Sequence, residues 1–302
     1  MTTYTYESAL AASEKVDWTV EDLIGGDKRL DFRRPFLPEA LARTADAPGL
    51  TADEKLTLNQ IRGHDYLCTF GLVEEFILPF VLDHVRPHLS GNDHRVRAFL
   101  GFAAEEAKHI HLFKRFRDEF RKGFGTDCAV IGPADAVARA VLAHTPLGVA
   151  LMILHIEWMV QGHFTDGVRD EAGLDPQIKS LLRHHWMEEA QHAKLDTLMI
   201  EALAEGRSEA EILAAVEDYL SIGMMFDGAF KQQADMNASA LEKATGRTLS
   251  AKERAALVAQ QHQALRWTFI GTGMTHPEFL ATLGSLAPAA RARVEAVAPA
   301  FS

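Results

Sequence analysis

Two short runs in this sequence place a carboxylate and an imidazole three residues apart, Glu106-x-x-His109 and Glu189-x-x-His192. Residues at i and i+3 share a helix face, so each pair has the chemistry to hold one metal ion. Two such pairs are close to what 14 histidines and 23 glutamates give by chance in 302 residues, so the spacing alone decides nothing. Their surroundings do. The stripe around the first pair reads Phe99, Phe102, Glu106, His109, Phe113, Phe116, Phe120. Phenylalanine fills every place except the two metal-binding types. The second stripe reads Ile178, Leu182, His185, Glu189, His192, Asp196, Met199. A carboxylate on so apolar a face is costly unless it is paired or bound to metal.

Each pair is preceded by a segment with one carboxylate in an apolar stripe. Glu157 lies among Ala150, Ile153, Val160 and Phe164, and Glu74 among Leu67, Phe70, Ile77 and Val81. Glu75 competes with Glu74. At ~100° per residue, Asp65, Thr69 and Asp83 mark a polar side, Glu74 falls opposite it and Glu75 on the flank. Glu74 to Glu106 and Glu157 to Glu189 are both 32 residues apart. A chain that climbs about 20 Å, turns near Leu89 or residues 171–175, and returns brings all four glutamates to one height. The plan reads as a duplicated helix pair with a long connection.

The elements that must position these residues are helices. Apolar periodicity is helical nearly throughout, and no segment alternates as a strand would. Thr51 with Glu54 forms a capping box for a helix running to about Leu89 and kinked at Pro79. The next helix runs from about Asp93 to Phe120. Pro146 opens or interrupts a third ending near Gly173, and Asp175-Pro176 starts a fourth reaching Gly206. Ser208 with Glu211 and Ser250 with Glu253 cap two more. Residues 271–279 read as a loop before a short Ala-rich helix, and residues 1–50 are the least regular part. Nothing resembles a linker. The expectation is one all-α domain over 1–302, a four-helix bundle core at about 51–206 with additional N- and C-terminal helices.

Composition bounds the partners. Apolar residues make up 47% and charged residues 24%, ordinary for a globular chain. The net charge of −11 argues against nucleic acid and anionic membranes. No stretch of 18 apolar residues is present, and the N-terminus lacks a basic leader, so a cytoplasmic protein is expected. Cys68 and Cys128 cannot build a disulfide framework, and Cys68 reads as a buried inert thiol.

Two single glutamates plus two Glu-x-x-His pairs on four helices match the ligand set of ferritin-like di-iron and di-manganese carboxylate proteins. Carboxylate and imidazole suit Fe(II) and Mn(II), and a bridging glutamate holds two ions ~3.5–4 Å apart. The run from His185 to His192 adds a histidine one turn before Glu189, an HxxxExxH pattern. In this the sequence resembles the p-aminobenzoate N-oxygenase family of ferritin-like di-iron oxygenases, over roughly residues 35–245. The resemblance implies a seven-ligand centre of Glu74, Glu106, His109, Glu157, His185, Glu189 and His192. It implies two iron ions, with manganese as the alternative metal, and O2, a small organic substrate and an external electron donor as partners. The activity implied is mono-oxygenation, with N-oxygenation of an aryl amine as the specific form. A ferroxidase or iron-handling protein is the competing reading; a large hollow shell would favour it, and a monomer or homodimer would favour the enzyme. Asp196 is expected to support a ligand imidazole or to form a helix–helix salt bridge. Glu105 and Glu188 are expected to be solvated or interhelical charges with little effect on activity. His111, His155, His163 and His184 fall off the ligand stripe.

Overall fold

The structure is a computed structural model that describes residues 4–301. Its helices in chain order are α1 (Tyr6–Ser13), α2 (Glu39–Ala42), α3 (Ala52–Val85), α4 (Asp93–Phe124), α5 (Ala134–Leu142), α6 (Pro146–Gly162), α7 (Pro176–Ala204), α8 (Glu209–Thr245), α9 (Ala251–Arg266), α10 (Thr272–Met274), α11 (Pro277–Leu286) and α12 (Pro288–Val297). No strand occurs among the described residues. The long helices start where their sequence signals stand. Thr51, Ser208 and Ser250 each accept a hydrogen bond from the backbone of the glutamate three residues on, and that glutamate bonds back. Asp175 accepts from the backbone N–H of Gln177 and Ile178 at 2.9 and 2.8 Å. Each such cap contributes about 1 kcal/mol. Gly125 and Gly246 end α4 and α8 at φ 74° and 68°, a left-handed conformation that glycine adopts without strain. Pro79 does not end α3.

The ferritin-like core pairs α3 with α4 and α6 with α7, and α4 meets α7 across the bundle. α8 packs over α3 and α6, α9 over α8, and α1 over α4 and α7. These additions explain two departures from the sequence reading. First, the middle of α3 is buried on every side, including Asn59, Arg62, Asp65 and Thr69. The supposed polar side at Asp65 and Thr69 is therefore interior. Asn59 Oδ1 accepts from the backbone N–H of Phe36 and Leu37, and Arg62 pairs with Asp65 at 3.1 Å. Second, residues 271–279 are not a loop: only Thr275 and His276 interrupt the helices there.

α6 is apolar nearly all round because neighbours cover it nearly all round. Together with its extension it forms one helical stretch, Pro146–Val168, long and apolar enough by composition to cross a membrane, with mean hydropathy 1.2. The most apolar window of that stretch is 89% buried within the protein, which marks the central helix of the core. Two π-helical turns, His163–Val168 after α6 and Trp267–Gly271 after α9, shift the register of their helices. Such turns free backbone carbonyls for other donors.

Candidate metal centre

All seven residues singled out by the sequence meet at mid-height between α3, α4, α6 and α7. Glu106, His109 and His192 are fully buried, and Glu74, Glu157, His185 and Glu189 are at most 2% exposed. They form two groups, Glu74 with His109, His185 and Glu189, and Glu106 with Glu157, Glu189 and His192. Within each group one donor atom per residue lies within 4.8 Å of all the others. Glu189 belongs to both. Its Oε1 lies 2.6 Å from His185 Nε2 and 3.2 Å from His109 Nδ1, while its Oε2 lies 2.9 Å from His192 Nδ1. The two Glu-x-x-His pairs behave differently. Glu189 and His192 share a group, whereas Glu106 and His109 are divided between the two. Glu75 points away and pairs with Lys114 at 3.6 Å.

The donor set fits a pair of cations. Glu74 Oε2, both Glu106 oxygens and Glu157 Oε2 are buried without a hydrogen-bond partner. Four carboxylates converge there, and leaving such atoms unsatisfied costs several kcal/mol. Burial, and then the charges of Glu106 and Glu189, hold Glu74 well above the usual carboxylate range. Burial and Glu189 do the same to Glu157. Burial also raises Glu189, but His185 and His192 outweigh it and hold that carboxyl well below its ordinary value. Burial lowers His109, yet its bonds to Glu188 and Glu189 lift it to about 9. Without cations the cluster thus balances itself by sharing protons, and divalent ions would displace them.

A second layer of acids orients the imidazoles. His109 Nε2 donates to Glu188 Oε2 at 2.7 Å, and His192 Nε2 donates to Glu105 Oε2 at 2.8 Å. Each acceptor sits on the opposite helix, one residue before that helix's own site glutamate. With the outer nitrogen protonated, Nδ1 presents its lone pair inward; this tautomer follows from the bonding network. Glu188 is fully buried and also accepts from Lys108 Nζ at 2.5 Å. Ser13 donates to the other oxygen of Glu105. Trp18 lies parallel to His109, with ring centroids 6.1 Å apart, and beneath Lys108 Nζ at 3.9 Å. Of the two alternatives the sequence reading left for Glu105 and Glu188, solvated or interhelical charges, the structure has the interhelical one, with the site imidazoles as partners. The signal was in the sequence: a Glu-Glu doublet stands at the same place in both motifs. Ser13, Trp18 and Lys108 carry no such signal, because α1 and the segment after it meet the site only in the folded chain.

Asp196 is fully buried, and neither of its oxygens has a hydrogen-bond partner. It forms neither the imidazole bond nor the salt bridge expected of it. His155 and His163 are buried structural groups. Each accepts from a tyrosine at Nδ1, Tyr219 and Tyr66 respectively at 2.8 Å, and donates from Nε2 to the carbonyls of Phe269 and Thr268 in the second π turn. His111 is exposed, and His184 bonds the Ser180 carbonyl of its own helix at 2.7 Å. Against the site lies a small apolar chamber of about 30 Å³, walled by Phe70, Val73, Met152, Ile156, Phe226 and Met274. Phe70, Val73 and Ile156 face both the chamber and the carboxylates.

No protein-family model matches the chain, and neither does any curated protein. Solved structures do. Three variants of an R2-like ligand-binding oxidase, each with an aerobically reconstituted Mn/Fe cofactor, superpose with TM-scores of 0.51, 0.50 and 0.50. Identity is 14% in each case, over 87% of this chain and 93% of the other. At that identity the likeness is one of fold.

Proposed function

We propose that this chain is a dimetal oxidoreductase that uses O2 to oxidise a small organic substrate. The observation that carries the reading is the buried set of seven donors in two groups sharing Glu189. Glu74, His109 and His185 would hold one ion, Glu106, Glu157 and His192 the other, with Glu189 between them. Two irons fit these ligands, and so does the Mn/Fe pair of the R2-like oxidases. When bound, such a pair supplies the redox equivalents and Lewis acidity that O2 reduction needs.

The chain's own residues do the rest. Glu105 and Glu188 keep the outer nitrogens of His192 and His109 protonated and their rings fixed. The Phe- and Ile-lined walls exclude water, which strengthens every charge interaction inside. The apolar chamber sets the substrate's place. At about 30 Å³ it admits little more than a water molecule, so an organic substrate must displace Met152 and Met274, whose side chains are flexible. The finer reading, from the HxxxExxH resemblance, is N-oxygenation of an amine. Mono-oxygenation places one oxygen atom in the substrate and the other in water, so an external donor must supply two electrons and two protons.

The test is O2 uptake by the iron-loaded protein with reductant, across a panel of small amines, with product analysis. Oxidised product formed in proportion to O2 supports the reading. Iron mineralisation with no organic product would replace it with a ferroxidase.

A further inference from the structure

We propose that small apolar molecules reach the chamber beside the candidate metal centre through one surface cleft, and that the Met159 side chain is the gate between the two. The cleft lies between the π turn that extends α6 and the start of α11, and has a volume of about 260 Å³. Gly162, Asp166 and Gly167 line one side of it, and Trp267, Thr272 and Thr275 the other. Met159 stands in the wall of this cleft and in the wall of the chamber. The chamber in turn shares Phe70, Val73 and Ile156 with the space around the carboxylates. Cleft, chamber and metal centre thus lie in series, each divided from the next by shared side chains. Two larger clefts do not connect in this way. One of about 320 Å³ between α3 and α4, and one of about 580 Å³ at the end of the bundle beside His84 and Leu203, share no wall residue with the chamber or with the carboxylates.

The frame around Met159 is tied down, which leaves its side chain as the part that moves. His163 donates from Nε2 to the Thr268 carbonyl at 2.9 Å, and His155 to that of Phe269 at 3.1 Å, so α6 and its extension are bound to the second π turn. Trp158 stacks on His276 with ring centroids 5.1 Å apart. Met159 is 2% exposed, so the resting gate is shut. Its side chain is unbranched and flexible and has no hydrogen bond to break when it changes rotamer. The chamber behind it yields for the same reason. A Cβ added at Gly223 of α8 would meet the methyl ends of Met274 at 3.9 Å and Met152 at 4.0 Å. A molecule that turns Met159 aside therefore meets two further movable side chains. That this molecule is the substrate rests on the proposed function; the route does not.

The test is fluorine NMR of fluorobenzene with the iron-loaded protein, without O2 or reductant. Iron shortens the relaxation time of a nearby fluorine, so the spectrum reports both binding beside the metals and the rate of exchange with solvent. Wild type should bind the probe. Met159→Ala should speed its exchange at least about tenfold. Met159→Leu, which keeps the volume but is branched and stiffer, should slow it. Thr275→Trp changes an exposed residue of the cleft that does not line the chamber. It should slow exchange with Kd unchanged, the signature of a route rather than a binding site, and it keeps the test decisive if Met159→Ala does not fold. Exchange as fast as wild type in Thr275→Trp and Met159→Leu would overturn the proposal, because the probe would be entering elsewhere. So would a change in Kd alone, or no bound probe. Since no turnover is involved, a gated route stands even if the protein is a ferroxidase, and the oxidase reading stands if the probe enters elsewhere.

Discussion

Glu105 and Glu188 form the least expected part of the site at the scale of single residues. A carboxylate that accepts the outer N–H of a ligand imidazole fixes the ring and raises its basicity, and removing one lowers metal affinity about 10–100-fold. Glu105→Ala and Glu188→Ala are therefore expected to weaken metal binding by that factor, contrary to the sequence reading. Anaerobic Fe(II) titration of each variant checks this, and affinities equal to wild type would mean that the second layer is idle. Glu188→Ala should be the more severe, because it also strands Lys108 over Trp18. Glu75→Ala removes only a half-exposed pair with Lys114 and should leave metal content unchanged. The buried cluster of carboxylates and imidazoles was legible because those types are rare on apolar stripes. Glu74 lies in the buried cluster and Glu75 outside it, although the polar side used to separate them is itself buried.

Helix extents and caps were legible too, since they depend on neighbours within a turn. The π turns were not, because they answer to tertiary partners: the carbonyls of Thr268 and Phe269 are taken by histidines of the stretch that begins at α6. These histidines impose a pH dependence. Burial holds His155 at about 4 and His163 at about 3, against an ordinary value of 6.5. As pH falls, the unfolded chain takes up protons first, so the stability each neutral ring contributes is complete above pH 6.5 and is lost as pH falls through 4 and 3. Between pH 7 and 5 each ring accounts for ~2 kcal/mol of lost stability. Urea denaturation should show that His155→Gln flattens the pH slope by about this amount; an unchanged slope would contradict it. The same contact makes Gly273 obligatory, since a Cβ there would lie 2.3 Å from His155 Nε2. Gly273→Ala should cost ~2 kcal/mol by overpacking. Gly228→Ala, on an exposed face of α8 with open space around it, should gain up to ~1 kcal/mol.

For the whole molecule, the bundle plan followed from the equal 32-residue spacings, because two helices of set rise joined by a short turn must return to the same height. What covers the bundle did not follow. The docking of α1, α8 and α9 depends on long-range packing, which leaves no periodic trace in sequence, and it is this cover that buries α3 all round and closes the site from water. The central claim is that the buried donors hold two metal ions with Glu189 between them. The most direct measurement is anomalous diffraction at the iron edge from crystals loaded anaerobically with Fe(II). The account predicts two peaks per chain, ~3.5–4 Å apart and on either side of the Glu189 carboxylate. One peak, no peak, or peaks away from Glu74, Glu106, Glu157 and Glu189 would contradict it.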